Sequence, residues 1–373
     1  MGKSIQLGKI FGIPFRLDYS WFLIFFFITA LLSLSVFPSN HPEWSTAYYW
    51  IVGIVTSLIF FASVLAHELA HSLVGRRVGI PAKSITLFFF GGVAHIGKEA
   101  SRPTTELAMA IAGPLSSIAL AGLFYLVAWL TSDLNEYVSA ISAWLALING
   151  MLAIFNMIPG FPLDGGRVLR SIIWLTTGDF MRATRAATIA GYGVSYLFIF
   201  GGIIILFTGY WFNGLWLIFI GFFLNSATRA SYNQTKLRDT LKEFTAEDVM
   251  TRDFPRIPRQ LTIKELVNGP LLTSSSQYLL VTDGDSVNGL LTMQQVKEVP
   301  RESWDLTTAG QAMAPLEKLK MVQPSDDAIS ILERIDEDNL EIVAVVREGR
   351  LIGMILRDNL ARFAQRQIGR AHV

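Results

Sequence analysis

Six apolar runs, at about 17–37, 47–75, 106–131, 138–158, 189–209 and 212–229, take up most of the first 230 residues. Most reach the ~20 residues that cover a bilayer's hydrocarbon core. Backbone in lipid must satisfy its own hydrogen bonds, which leaves helices or closed barrels, and runs of this length read as helices. The sixth run is short, and its boundary with the fifth is the least marked. Composition agrees, with 51% hydrophobic residues and 26 Phe. Cysteine is absent, so a metal must be held by His, Asp or Glu. A net charge of +1 gives no general attraction to nucleic acid.

Charge orients the runs. Lys3, Lys9, Arg16, Arg76, Arg77, Lys83, Lys98, Arg102, Arg167, Arg170, Arg182, Arg185 and Arg229 all fall on one side of a six-span topology. The opposite loops, PSNHPEWST, TSDLNEY and GYWFNG, hold no Lys or Arg. Basic loops stay in the cytoplasm, so both termini are expected there. The N-terminal stretch lacks a cleavage pattern, and no removable signal peptide is expected. Beyond residue 230 the chain turns polar. Residues 231–245 read as a linker, and 246–373 as a soluble α/β unit.

Residues 65–73 read LAHELAHSL within the second run. His67 and His71, at i and i+4, share one helix face and can bind one metal together. Zinc lowers the pKa of its water to about 7, and Glu68 is placed to take that proton and pass it to a leaving amine. HExxH also occurs by chance. Ionisable groups inside a membrane are costly to bury, however, and they mark function by default. His67 lies nine residues before Arg76, or about 13 Å inside that face at 1.5 Å per residue. A hydrolase at that depth needs a polar cavity open to the cytoplasm.

A catalytic zinc wants three protein ligands and an open position. His41 lies in a far-side loop and His372 is the penultimate residue, so both are expected to be solvated. His95 sits in LFFFGGVAHIG, whose pattern suggests a hairpin rather than a rigid ligand platform. FNMIPGFPLDGGRVLR, 155–170, breaks the fourth span with Pro159, Gly160, Pro162, Gly165 and Gly166. Irregular backbone at membrane depth must be buried in protein or line a wet cavity. Asp164 is the candidate third ligand; alternatively it caps the next helix, and Asn156 likewise caps a broken one.

HELAH, AGPLSS at 112–117 and NMIPGFPLDGG at 156–166 resemble the site-2 protease family of intramembrane zinc metalloproteases, over essentially residues 1–230. The resemblance implies one zinc on His67, His71 and Asp164, with Glu68 activating water. It makes Asn156 a polar contact to substrate or to the developing oxyanion. Asn149 fits the pattern as a structural residue. Ser117 departs from it, since an Asn often follows AGP. Implied substrates are single-span membrane proteins, such as membrane-tethered transcriptional regulators in a bacterial inner membrane. SITLFFFGGVAHIG, 84–97, matches the family's membrane-dipping β-hairpin, whose free edge would hold an unwound substrate by strand addition. Arg167 and Arg170 read as charged anchors for the helix after Asp164.

Residues 246–299 and 309–363 look duplicated. AEDVMTRDFPRI parallels AGQAMAPLEKLK, and NGLLTMQQV parallels IGMILRDNL. They resemble a tandem cystathionine-β-synthase (CBS) domain pair, many of which bind adenine nucleotides through a hydroxyl followed three residues on by Asp. This chain has Thr292 with Gln295 and Leu356 with Asn359, so nucleotide binding stays open beside a structural or homodimerising role. The expected fold is a polytopic α-helical membrane protein with six transmembrane helices and a membrane-associated β-hairpin, followed by a cytoplasmic α/β tandem CBS domain. The expected function is intramembrane zinc endopeptidase in regulated intramembrane proteolysis, with the CBS pair as regulator. The alternative is a CBS-regulated membrane transporter or channel with an incidental metal site, since transporters also break helices near the midplane.

Overall fold

The computed structural model describes residues 4–96, 100–269, 278–284, 286–338 and 340–370. It has two compact units that divide between Thr235 and Lys236.

The first unit holds helices α1 (Tyr19–Asn40, with a π-helical turn at Leu32–Val36), α2 (Thr46–Arg77), α3 (Pro103–Thr131), α4 (Glu136–Asn156), α5 (Asp164–Thr177), α6 (Phe180–Phe207) and α7, which runs from Trp211 to Leu241. All but α5 are long and apolar enough to cross a membrane. The chain is a multi-pass integral membrane protein. Asp18, Asn135 and Asp179 cap α1, α4 and α6 by accepting a backbone N–H of the first turn. Leu123, Tyr125, Trp129, Phe200 and Phe207 point outward, as lipid contact allows.

The fifth span begins nine residues earlier than its apolar run suggests. Arg182 and Arg185 give that stretch low hydropathy, while Ala183, Thr184, Ala187 and Thr188 between and after them are buried. The sixth continues well past residue 229, so most of 231–245, expected as a linker, is helix as far as Leu241. Good helix formers such as Lys236, Leu237, Arg238 and Leu241 carry it on. Small residues bring α6 and α7 together. A Cβ on Gly202 would lie 2.7 Å from the Gly214 carbonyl oxygen, and one on Gly221 would lie 2.8 Å from the Ser195 oxygen.

A four-stranded sheet completes this unit, in the order β1 (Ser4–Ile10), β2 (Ile13–Asp18), β3 (Ala82–Phe88), β4 (Gly91–Ile96). The expected hairpin is β3–β4, with Ile85 opposite Ala94 and Leu87 opposite Gly92; residue 97 lies outside the described residues. The N-terminal hairpin β1–β2 was not anticipated. It joins in parallel through Phe15, Arg16 and Leu17 against Ile85, Thr86 and Leu87. Leu17 and Leu87 pack with Trp21, Phe61 and Val64, which seats the sheet on α1 and α2. β4 is left as a sheet edge.

The second unit is the expected duplication. Its first copy has β5 (Arg256–Pro258), α9 (Ile263–Asn268), β6 (Tyr278–Asp283), β7 (Ser286–Thr292) and α10 (Met293–Glu298). Its second has β9 (Met321–Val322), α12 (Ala328–Asp338), β10 (Ile342–Arg347), β11 (Arg350–Leu356) and α13 (Arg357–Arg370). A register shift follows Val281 in one ladder and Val345 in the other. The leading short helices are exchanged. α8 (Ala246–Val249) opens the first copy, but Ala246 and Val249 pack among Ile331, Val343, Val345 and Ile355 of the second. α11 (Ala309–Ala312) opens the second copy, and Ala309 packs among Ile257, Ile263, Leu279 and Leu291 of the first. Thr251 pairs with Met354, and β8 (Ala314–Pro315) pairs with β7. Both short helices open on capping boxes, Thr245 with Asp248 and Thr308 with Gln311. The Thr245 backbone N–H and hydroxyl hold the Asp248 carboxyl below its usual range.

Gly202→Leu is expected to wedge α6 from α7 and cost about 1–3 kcal/mol. Gly193→Leu, at a position with nothing within 4 Å of an added Cβ, is expected to be nearly neutral. Melting temperatures of the two variants in detergent check this.

Candidate metal centre

His67 and His71 lie one turn apart on α2, buried, with ring planes 79° apart. α3 runs directly against this face because Gly113 has no side chain. A Cβ there would meet the Nε2 atoms of both imidazoles. The neighbouring turns of α3 then reach the outer ring nitrogens. His71 Nδ1 donates to the Met109 carbonyl at 2.6 Å, and His67 Nδ1 lies 2.9 Å from Ser117 Oγ. A carbonyl can only accept, so the His71 proton sits on Nδ1 and the Nε2 lone pair points inward.

The aspartate comes from the break after α4. Gly165 and Gly166 press onto the turn that precedes them: a Cβ on either would overlap backbone of Met157 and Ile158 or of Gly160 and Phe161. Gly160 in turn abuts Gly191 of α6. The irregular backbone is satisfied by protein, with Phe161 N–H donating to Ala187 O at 3.2 Å and Thr228 Oγ1 donating to Phe161 O at 2.6 Å. α5 starts at Asp164 with no side-chain cap, so the capping role weighed for this residue is not the one it fills. Its Oδ2 lies 3.1 Å from His67 Nε2 and 3.1 Å from His71 Nε2, and the two nitrogens are 3.2 Å apart.

Glu68 follows His67 on α2 and faces β4. A Cβ on Gly92 would lie 3.1 Å from its Cδ and 3.2 Å from its Oε1. The carboxylate thus stands between the donor cluster and the edge strand. Asn156 is the last residue of α4 and makes none of the cluster's hydrogen bonds. Asn149 is buried and donates to Leu145 O, a role within its own helix. His95 pairs opposite Ser84 in the hairpin, away from the cluster. A second grouping, His41 with Glu43 and Glu136, is partly or fully exposed, and His41 stacks on Trp44. In the tail, Thr292 and Gln295 form a capping box on α10, while Asn359 donates to Thr251 Oγ1 at 2.9 Å.

Arg170 differs from expectation. It is not a solvated anchor: it is buried, its Nε donates to Glu106 Oε1 of α3 at 2.8 Å, and its guanidinium lies over Phe161 and Phe180. Arg167 is partly exposed, 3.9 Å from the same oxygen. Sequence reading missed Glu106, for which no motif or spacing in the chain gives a signal. It also undervalued Gly113, although AGP, the motif that contains it, had been singled out.

The profile of peptidase family M50 matches residues 55–135 and 131–200, the region that contains every residue of the cluster. The Synechocystis protein described as "Putative zinc metalloprotease sll0528" is 34% identical over 368 residues, 98% of this chain and 96% of that one. The chain belongs to this family. Among solved structures, the site-2 protease from Methanocaldococcus jannaschii is 28% identical, with a TM-score of 0.44 over 62% of this chain and 95% of that one. The CBS domain of a bacterial CNNM/CorC family Mg2+ transporter in complex with ATP is 16% identical, with a TM-score of 0.31 over 35% of this chain and 96% of that one. As a member of the M50 family the protein is a site-2 protease-like intramembrane zinc metalloprotease.

The cluster suits the metal that membership implies. Two imidazole nitrogens and a carboxylate oxygen form a common catalytic zinc donor set. Their separations of 3.1–3.2 Å approach the edge of a tetrahedron with metal–donor bonds near 2.0–2.1 Å, about 3.3 Å. Two lone pairs and a carboxylate oxygen this close repel unless a cation or a proton sits among them. Gly113→Ala is expected to push the imidazoles apart and lower zinc content severalfold or more. Ser117→Ala, which removes one outer hydrogen bond, is expected to weaken affinity by about 10-fold. Metal analysis of both purified variants against wild type checks this.

Proposed function

We propose that the protein is an endopeptidase that hydrolyses peptide bonds within or near transmembrane segments of other membrane proteins. The observation that carries this is the convergence of buried His67 and His71 with partly buried Asp164, and Glu68 next to His67 on the same helix. In this reading the three donors hold a single zinc ion and Glu68 is the general base and acid. When bound, zinc supplies Lewis acidity to the scissile carbonyl and to attacking water.

The chain's own groups do the rest. Glu68 accepts a proton from the attacking water and returns it to the departing amine. Ser117 and the Met109 carbonyl hold both rings with Nε2 toward the donor cluster. Asn156, at the lip of the broken helix, is a candidate contact to substrate or oxyanion. A substrate helix hides its carbonyls in its own hydrogen bonds and must be unwound. The free edge of β4, with Gly92 against Glu68, can hold such a segment extended by strand addition. Single-span proteins, membrane-tethered transcriptional regulators among them, are the proposed substrates. Charge asymmetry favours a cytoplasmic location for both termini in a bacterial inner membrane. There the CBS-like tail would regulate access, with adenine nucleotide binding and homodimerisation as its candidate means. A transport role has no use for a carboxylate at HExxH spacing.

Reconstitution with a single-span substrate tests the assignment. Glu68→Gln is expected to keep zinc and lose cleavage by at least about 10²-fold. His67→Ala is expected to lose both. Cleavage at wild-type rate by Glu68→Gln would falsify the role given to Glu68.

A further inference from the structure

We infer that the buried ion pair between Glu106 and Arg170 is a positioning device that sets the reach of Asp164 toward the two histidines. This rests on the reading of His67, His71 and Asp164 as zinc ligands.

α5 carries Asp164, Arg167 and Arg170 at i, i+3 and i+6, along one side of the helix. α3 carries Glu106, Met109, Gly113 and Ser117 along the side that meets the histidines. The two helices are therefore tied at two levels. One is the donor cluster, where Asp164 meets the rings over Gly113. The other is the ion pair, about 9 Å further along α5 (six residues) and about 10.5 Å back along α3 (seven residues). The matched spacings make the pair a stop against sliding of α5 along α3. Arg167 adds a longer contact from the same helix, 3.9 Å from the same Glu106 oxygen.

The pair is built to hold a position. Both Nε and Nη2 of Arg170 donate to one oxygen, Oε1 of Glu106. The guanidinium lies over the rings of Phe161, from the turn before Asp164, and Phe180, from the start of α6, at 5.0 and 4.8 Å. Glu106 is 1% exposed, and its Oε2 has no hydrogen-bond partner among the described residues. Pairs of this kind add little net stability over a well-packed apolar pair. What they supply is a fixed geometry, and here that geometry ends at a ligand whose helix has no cap of its own at Leu163.

Zinc affinity of full-length protein in detergent, read by chelator competition, tests the inference together with the absorption spectrum of the cobalt-substituted form. Arg170→Met and the apolar double variant Glu106→Leu/Arg170→Met are expected to bind zinc about 10–100-fold more weakly and to show altered cobalt bands at saturating metal. Arg170→Lys keeps the charge but not the planar fork, and it is expected to fall between them and wild type. Gly202→Leu serves as a destabilised control and is expected to keep wild-type affinity and spectrum. Wild-type affinity and spectrum in every folded pair variant, Arg170→Lys included, would overturn the inference. A loss of affinity in Gly202→Leu equal to that in Arg170→Met would overturn it too, by assigning the effect to general stability. His67→Ala, run in parallel, separates the two readings: if it retains zinc, the ligand assignment itself is wrong.

Discussion

The close approach of α3 to the histidine face of α2 is what the remainder of the membrane unit depends on. It is possible only because Gly113 leaves room beneath the two rings. Once the helices are that close, Met109 and Ser117 reach the outer nitrogens, and both inner nitrogens turn to a common point. In a hydrocarbon setting these contacts matter more than their individual energies suggest, because the alternative for each buried nitrogen is no partner at all.

The second half of the site is made by backbone, not by side-chain packing. Gly160, Gly165, Gly166 and Gly191 let a turn and two helices touch main chain to main chain. That contact buries an unwound segment at membrane depth and puts Asp164 at the head of a new helix. Hydrogen bonds to Ala187 and from Thr228 keep the segment from being an unsatisfied break. The two halves meet at the donor cluster, and the Glu106–Arg170 pair ties them again further along.

Much of this was legible in the chain. Hydropathy located all six spans, because lipid imposes length and apolarity with little room for variation. HELAH and Asp164 were legible because ionisable groups in such surroundings require a reason. The tail's duplication was legible by self-similarity, and the two ladders carry it down to the placement of their register shifts. What stayed hidden was pairing between distant segments. Nothing local in residues 4–18 says that β2 lies parallel to β3 rather than ending at its own hairpin. Arg170 looked like a surface cation because its partner is 64 residues away and equally ordinary in sequence. The start of α6 was misjudged because Arg182 and Arg185 lower the hydropathy of its first turns, although the helix is continuous from Phe180.

The exchanged helices of the tail bear on how the chain is made. Ala246 and Val249 emerge from the ribosome about a hundred residues before Val345 and Ile355, the strands that bury them. The first copy likewise lacks Ala309 until the second has begun. Neither copy can finish alone during synthesis: the first core waits for Ala309, and the second, which buries Ala246 and Val249, waits for the last strands and helix of the chain. By then all the membrane helices have been translated.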